Sequence, residues 1–384
     1  LERPGRAVVP APFLVVDRRP WWHARYQQGR WDPAGRLLLP LSWLYGLLAF
    51  GRHRLLKGRA RAPRPPGAPY VVSVGNLEMG GTGKTPVCLA LAAALHEAGE
   101  RVAVVTRGYR SGEGSGVRCY DRAGKQEGDP GDEGRLYRLR LPEVPLVVAP
   151  RRGRGVAASA ERYGARVVLL DDAFQHLGVR RDLDLVLVPR ESRPGSGRLL
   201  PAGPLREGRW ALSRADVIVI SGEGETGGRR AAGGPSRGVS SAPGHAGGRV
   251  LSGVLRPSGL FDPSTGREGD PGSLAGVRVI ALSGIARAEG FEAELVRLGA
   301  ELRGAARYPD HHRFSERELE EAEGLRRRAG GELVILTEKD GVRLGEGPLP
   351  ATFRVLTARF HLEGMEDLVD RIRAEAGADG PVGT

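Results

Sequence analysis

The sequence predicts an α/β protein whose main domain is a mostly parallel sheet with helices on both faces, followed by a second, smaller α/β domain. Three observations carry this. Short runs of Val, Ile and Leu alternate with helix-like stretches, the order that produces strand–helix–strand crossovers. The strand-like runs are mostly apolar along their length rather than at every second residue, as in a parallel sheet buried on both faces. A glycine-rich loop joins the first of these strands to the first helix that follows it.

Taken in order, residues 1–69 read as an N-terminal segment. Its most apolar part is Leu37–Phe50, LLLPLSWLYGLLAF, which is shorter than the roughly 20 residues a membrane span needs. Arg30 and Arg36 precede it, and Arg52, Arg54, Lys57, Arg59 and Arg61 follow. With Trp43, Tyr45 and Phe50 among its anchors, the pattern predicts a helix lying in an anionic membrane interface; a buried core helix with a basic collar is the alternative. After the Pro-rich break Ala62–Pro69, the main domain is expected over 70–221. Its strands read as Tyr70–Val74, Val102–Val105, Leu146–Val148, Val167–Leu170, Leu183–Val188 and Val217–Ile220, with helices at Pro86–Leu95 and Arg154–Tyr163. Residues 222–248, dominated by Gly, Ser, Ala and Arg with almost no large apolar residue, read as a flexible insertion without a core. The smaller domain follows over 249–384, with strands at Val277–Leu282, Leu333–Leu336 and Phe353–Leu356 and helices near Phe291–Leu298, Glu316–Arg326 and Met365–Ala374. Ser315 and Glu318 have capping-box spacing at the start of the middle helix.

The formal net charge of +12 favours partners that carry phosphate: nucleotides, anionic headgroups or nucleic acid. Much of it reflects coding bias. Of 58 basic residues only Lys57, Lys84, Lys125 and Lys339 are lysine, which leaves 54 arginines, beside 58 glycines. Where a lysine does occur, a compact ammonium is the feature to ask about, and Lys84 and Lys339 both lie in motifs. Cys88 and Cys119 form neither a disulfide framework nor a metal cluster, and the N-terminus shows no signal-peptide pattern, so a reducing cytosol is expected.

The strongest motif is Gly80-Gly81-Thr82-Gly83-Lys84-Thr85, between the strand Tyr70–Val74 and the helix opening at Pro86. Such a loop lets backbone N–H groups approach phosphate oxygens, and the helix N-terminus adds partial positive charge. Lys84 is expected to reach the β- and γ-phosphates of ATP, and Thr85 to ligate Mg²⁺. Glu78 stands where the strict pattern has Gly, so Glu78 and Met79 with the double glycine make a variant loop. The run Val167–Asp172 ends in two acids at the carboxyl edge of the sheet, where a P-loop Mg²⁺ sits. Gly131-Asp132-Glu133-Gly134 reads as an acidic turn that can supply a base, and Asp310-His311-His312 as an Asp-tuned histidine.

Together these residues resemble the tetraacyldisaccharide 4'-kinase family, the lipid A 4'-kinases. The resemblance runs from about Trp43 to Leu344. It is carried by Val74-Gly75-Asn76-Leu77 before Gly80–Pro86, by Arg107-Gly108-Tyr109, and by Gly131-Asp132-Glu133. It continues in Asp171-Asp172-Ala173-Phe174-Gln175-His176, Leu200–Glu207, Tyr308–His312 and Thr337-Glu338-Lys339-Asp340. It implies a P-loop kinase-like core and transfer of the ATP γ-phosphate to the 4'-hydroxyl of an acylated disaccharide 1-phosphate lipid, giving lipid IVA. The site implied is the cytoplasmic face of a bacterial inner membrane. By resemblance, Asp132 and His311 are the base-and-histidine dyad, Glu133 and Asp172 the metal carboxylates, and Arg152, Gln175, His176 and Arg206 the substrate contacts. The sequence departs from the family's usual pattern at Ala173 and Gly134, where Gly and Pro are usual. It departs again at Pro194-Gly195-Ser196-Gly197, where an aromatic-Gly-Asn-Gly run is usual.

Two other functions compete. A regulatory ATPase of the partitioning or cell-division type also joins a double-glycine loop to an amphipathic membrane helix, but typically has lysine where this chain has Met79. A nucleic-acid partner is disfavoured, since the arginines are scattered, aromatics are few and no recognition module is visible. Thr337–Asp340 is open between an adenosine contact and a structural loop.

Overall fold

The structure is a computed structural model that describes residues 13–20, 36–81, 83–108, 116–121, 128–190, 198–222, 248–344 and 349–378. The expected insertion 222–248 lies outside these residues apart from its two ends. In chain order the elements begin with β1 (Leu14–Asp17), α1 (Leu39–Ala60), β2 (Tyr70–Asn76), α2 (Lys84–Glu97), β3 (Val102–Thr106) and β4 (Arg118–Tyr120). Next come α3 (Gly131–Arg140), β5 (Leu146–Val148), α4 (Arg152–Tyr163), β6 (Val167–Asp171), β7 (Leu183–Pro189) and β8 (Val217–Gly222). There follow β9 (Arg249–Asp262), β10 (Arg267–Gly269), β11 (Arg278–Ser283), α5 (Ala288–Arg297), β12 (Glu301–Arg307) and α6 (Glu316–Arg328). The last are β13 (Leu333–Thr337), α7 (Glu338–Gly341), β14 (Phe353–Leu362) and α8 (Met365–Gly377).

The chain divides into two compact units, 29–255 with 360–384 and 1–28 with 256–359. This differs from a division at 249 for two reasons. β1 pairs in parallel with β12 of the smaller unit, Leu14 opposite Gly304. Helix α8 belongs to the larger unit, where Leu368, Val369 and Ile372 are buried in the same apolar cluster as Leu91 and Leu95 of α2.

In the larger unit the strands run in the order β4-β5-β3-β6-β2-β7-β8-β9, parallel except for the β4–β5 edge. Every residue of β2, β3, β6 and β7 is buried. Alternate residues serve opposite faces. Val72, Val104, Val167 and Leu169 pack with Val87 and Leu91 of α2, while Val71, Val105, Val168 and Leu170 pack with Val156 and Tyr163 of α4. Each such side chain stabilises the fold by about 1.5–3 kcal/mol when fully buried. β2 and β6 are neighbours with Val74 opposite Asp171, so both deliver their carboxyl ends to one place.

The acidic turn expected at Gly131–Gly134 is instead the first turn of α3, where the positive end of the helix favours Asp132 and Glu133. The smaller unit has parallel strands in the order β1-β12-β11-β13-β14, with β10 antiparallel to β9. The capping box of α6 is present: the Ser315 hydroxyl accepts from the Glu318 N–H, and the Glu318 carboxylate accepts from the Ser315 N–H at 2.9 Å.

Helix α1 is longer than the apolar run, and it turns its large apolar residues outward, as an interfacial helix would and a buried core helix would not. Ser42, Gly46, Ala49, His53 and Ala60, at spacings of about one helical turn or two, face the protein. Trp43, Leu47 and Leu48 are exposed at 72%, 67% and 65%, and Leu41, Leu44 and Leu55 are exposed as well. Polar and small residues dock it: Ser42 Oγ donates to Leu199 O at 3.0 Å, Tyr45 Oη to Arg206 O at 2.8 Å, and a Cβ on Gly46 would lie 2.6 Å from Leu199 Cδ1. Among the described residues no helix is long and apolar enough to cross a membrane.

Candidate active site

The loop between β2 and α2 turns on Gly80 and Gly83, with φ of 103° and 84°, a region that side chains disfavour. Gly83 caps α2 without a capping side chain, so first-turn N–H groups remain for a ligand. Thr82 lies outside the described residues; Gly81 is exposed. The loop is held from the far side: the Met79 N–H donates to Pro204 O and the Arg206 N–H to Leu77 O, each at 2.8 Å, and Glu78 bridges to Leu205. The Met79 side chain is exposed. Lys84 Nζ lies 3.4 Å from Gly80 O and 3.5 Å from Asp172 Oδ1.

At the neighbouring strand end, Asp171 is buried beneath the loop. Its Oδ2 accepts from Thr85 Oγ1 at 3.1 Å and from Tyr137 Oη of α3 at 3.0 Å, while buried Oδ1 accepts no hydrogen bond among the described residues. Burial, followed by the charges of Glu133 and Asp172, pushes Asp171 up to about 7. Asp172 goes the opposite way. Burial raises it, but Lys84 and Arg206 outweigh that and hold its carboxyl below the ordinary value. Arg206 Nη1 lies 3.1 Å from both Asp172 oxygens. Thr85 and Asp172 are both expected, with Glu133, to ligate one Mg²⁺. The structure places Asp171 against Thr85 and engages Asp172 with Lys84 and Arg206. Of the two strand-end acids it is Asp171 that meets Thr85, and Tyr137 is a site residue that no motif in the sequence marks.

Two of the remaining residues touch these strand ends, Arg152 at Asp171 O and Gln175 at Asn76 O. Asp132 is buried and Glu133 half-buried, both in the first turn of α3. Arg152 is buried, with Nη1 donating to Ala149 O and Nη2 to Asp171 O, each at 3.0 Å, so in this structure it braces the β6 turn. Gln175 Nε2 donates to Asn76 O at 2.7 Å, and the Gln175 backbone carbonyl accepts from Arg52. His176 reaches the surface; partial burial and the charges of Arg152, Arg52 and Arg107 push it below its ordinary value. His311 lies in the smaller unit and Asp132 in the larger. Among the described residues only Asp172 (φ 49°) and His311 (φ 63°) are non-glycine residues with positive φ. Such backbone costs about 1–2 kcal/mol and collects at functional sites. Both are residues that the motifs single out.

The parallel sheet, glycine loop, loop lysine and strand-end carboxylate define a P-loop phosphate-binding protein. The tetraacyldisaccharide-1-P 4'-kinase family profile matches residues 34–376. The chain is 39% identical over 343 residues to the tetraacyldisaccharide 4'-kinase of Anaeromyxobacter sp. (strain Fw109-5), covering 86% of this chain and 88% of that one. It is 38% identical over 348 residues to that of Parvibaculum lavamentivorans, covering 90% of each. A crystal structure of the "apo" form of LpxK from Aquifex aeolicus in complex with ATP superposes with a TM-score of 0.66 at 28% identity, over 89% of this chain and 99% of that one. The chain belongs to the tetraacyldisaccharide 4'-kinase family.

Proposed function

We propose that this chain transfers the γ-phosphate of ATP to the 4'-hydroxyl of tetraacyldisaccharide 1-phosphate, giving lipid IVA in lipid A biosynthesis. The observation that carries the reading is the meeting of Lys84 with Asp172 and of Thr85 with Asp171 at the ends of adjacent strands. Loop N–H groups and Lys84 bind the β- and γ-phosphates. Asp172 and Gly80 O hold the ammonium at the loop until phosphate replaces them.

The donor set fits Mg²⁺, which takes oxygen ligands and keeps waters and substrate phosphates in its shell. Among the described residues no three His, Cys, Asp or Glu side chains form a closed cage. Asp171 nevertheless presents a buried oxygen without a donor, beside the Thr85 hydroxyl and under the like charges of Glu133 and Asp172. Thr85, Asp171 and Glu133, with Asp172 adjoining, would hold the ion, which when bound neutralises charge on the phosphates undergoing transfer. Asp132 accepts the proton of the acceptor hydroxyl, a contribution of about 10²–10⁴-fold for a positioned base, and His311 is the histidine that the family resemblance assigns to that base. Gln175, His176 and Arg206 face the disaccharide, with Arg152 bracing the turn behind them.

The outward Leu and Trp face of α1, flanked by Arg52, Arg54, Lys57 and Arg59, supports seating in an anionic membrane interface on the cytoplasmic side of the inner membrane. The decisive experiment incubates the detergent-solubilised protein with MgATP and tetraacyldisaccharide 1-phosphate and weighs the product. One added phosphoryl group at the 4'-position is expected. ATP turnover that is indifferent to the acceptor would overturn the kinase reading in favour of a regulatory ATPase.

A further inference from the structure

In the Thr337–Asp340 motif Glu338 and Lys339 are half-buried and Asp340 is buried. Thr337 caps α7, accepting the Asp340 N–H at 3.2 Å, and its hydroxyl donates to Asp340 Oδ2 at 2.6 Å. The Asp340 carboxylate is fully buried and takes the Gly284 N–H on both oxygens at 3.2 Å. It also pairs with Arg343, one turn on, at 3.0 Å, both side chains being fully buried. Arg343 Nη1 donates in addition to Gly284 O at 2.9 Å, and Gly284 O accepts the His311 N–H at 3.1 Å. Arg343 Nη2 lies 3.3 Å from Nδ1 of the His311 ring. His312 is turned elsewhere, stacked on Tyr308 at 4.6 Å between centroids and bonded through Nε2 to Glu318 at 3.0 Å. The motif, Arg343 and the strained His311 backbone thus form one buried network within the smaller unit.

A guanidinium has only donors. The ring nitrogen facing it must therefore present its lone pair. We propose that Arg343, locked by Asp340 and Gly284, is a positioning residue that fixes His311 in the tautomer with Nδ1 unprotonated and the proton on Nε2. That proton is the one a histidine needs in order to donate to a carboxylate base through its outer nitrogen. The role in phosphoryl transfer rests on the assignment of His311 to the catalytic dyad; the tautomer itself does not.

The test is nitrogen NMR of the full chain labelled with ¹⁵N-histidine, with His311 signals assigned by their loss in His311→Gln. Long-range ¹H–¹⁵N correlations distinguish the two neutral tautomers. The wild type should show an unprotonated Nδ1 at His311, and a protonated Nδ1 overturns the proposal whether or not the Arg343 variants fold. Arg343→Met should mix the tautomers and lower kcat by about 10–100-fold, the range for losing a partner that orients a metal-bound histidine, with KM for ATP changed less than about twofold. Arg343→Lys, which keeps a donor, should restore most of both signals. A folded Arg343→Met protein with wild-type kcat, or with an unchanged tautomer, refutes the positioning role. If the wild type shows the expected tautomer yet transfers no phosphate to the lipid, the functional reading fails and the tautomer assignment stands.

Discussion

Replacing Asp171 with Asn should flatten the pH dependence of stability in the metal-free, nucleotide-free protein. The ordinary value for aspartate is 3.8, and burial with the charges of Glu133 and Asp172 moves Asp171 up to about 7 in the fold. Between these values the native state holds a proton that the unfolded chain has lost. The contribution of this group to stability is therefore complete below pH about 4 and is lost as pH rises through about 7. The whole interval corresponds to roughly 4 kcal/mol, and the part between pH 5 and 8 to roughly 3 kcal/mol. These are ceilings, because three neighbouring carboxylates share the titration. His53 tilts the curve the other way: burial, then the charges of Arg214, Lys57 and Arg54, push it down to about 4, so it destabilises the fold as pH falls below 6.5.

Comparing wild type with Asp171→Asn cancels the histidine. Asparagine keeps an acceptor for Thr85 and Tyr137, so the variant removes charge with little change of shape. The assay is urea denaturation at pH 5 and pH 8 with a chelator present. The wild type should lose about 1–3 kcal/mol more than the variant between the two pH values. Magnesium with ATP should recover that loss at pH 8 in the wild type alone. Equal pH dependence in the two proteins would show that Asp171 does not carry a charge under strain, and the metal-site argument built on it would fall.

Lys84→Ala should abolish phosphoryl transfer in a folded protein, and activity within about tenfold of wild type, ~1.4 kcal/mol in barrier, would contradict the loop assignment. Tyr137→Phe removes one of the two hydroxyls on Asp171 Oδ2, a bond of ~1 kcal/mol, and should raise the Mg²⁺ concentration for half-maximal activity about fivefold; an unchanged requirement would return Tyr137 to the core. Leu44, Leu47 and Leu48 changed together to Asp should release the protein from anionic vesicles, since they point outward, and undiminished co-sedimentation would refute the interfacial role of α1. Asp132→Ala and His311→Ala should each lower turnover by about 10²–10⁴-fold with ATP affinity, read by calorimetry, nearly unchanged, and the double variant should be little worse than the worse single. Multiplicative losses would dissolve the dyad.

The parallel core was legible because its strands are mostly apolar on both alternations, the pattern of a sheet covered on both faces. The elements that escaped lack that signature. β12 reads Glu301-Leu302-Arg303-Gly304-Ala305-Ala306-Arg307, and its small residues fit between β1 and β11, where bulk would clash: a Cβ on Gly304 would meet Leu14 O at 2.6 Å. α3 begins with four polar or glycine residues and buries little beyond Leu136 and Tyr137. The site was legible as motifs but not as pairs. Strand parity would have resolved Asp171 from Asp172: Val167, Leu169 and Asp171 alternate onto the α2 face, which carries Thr85, while Val168 and Leu170 face α4. The direction of α1 was not legible in the same way, since an outward apolar face and an inward one have the same letters. It is decided by Ser42, Tyr45, Gly46 and His53, whose contacts exist only in the fold.

The arginine-rich composition looks different once its buried members are traced. The turn Asp171–His176 leaves β6 with carbonyls that no strand partner can satisfy, and buried carbonyls must find donors. Three buried guanidiniums supply them: Arg152 reaches Asp171 O, Arg181 reaches Ala173 O and His176 O at 3.1 Å each, and Arg214 reaches Phe174 O at 3.2 Å. Arg181 is balanced by buried Asp184 at 3.2 Å and Arg214 by buried Glu207. Arg343 does the same for Gly284 O with Asp340 as its counter-charge. A lysine could not substitute, because one ammonium cannot span carbonyls set several ångströms apart, whereas a planar fork of five N–H groups can. A net charge read from composition therefore includes cations that meet no solvent and attract no partner. What these arginines contribute is rigidity in the turns that carry Asp171, Asp172 and His311, and removing Arg214 would take from buried Glu207 the guanidinium that balances it.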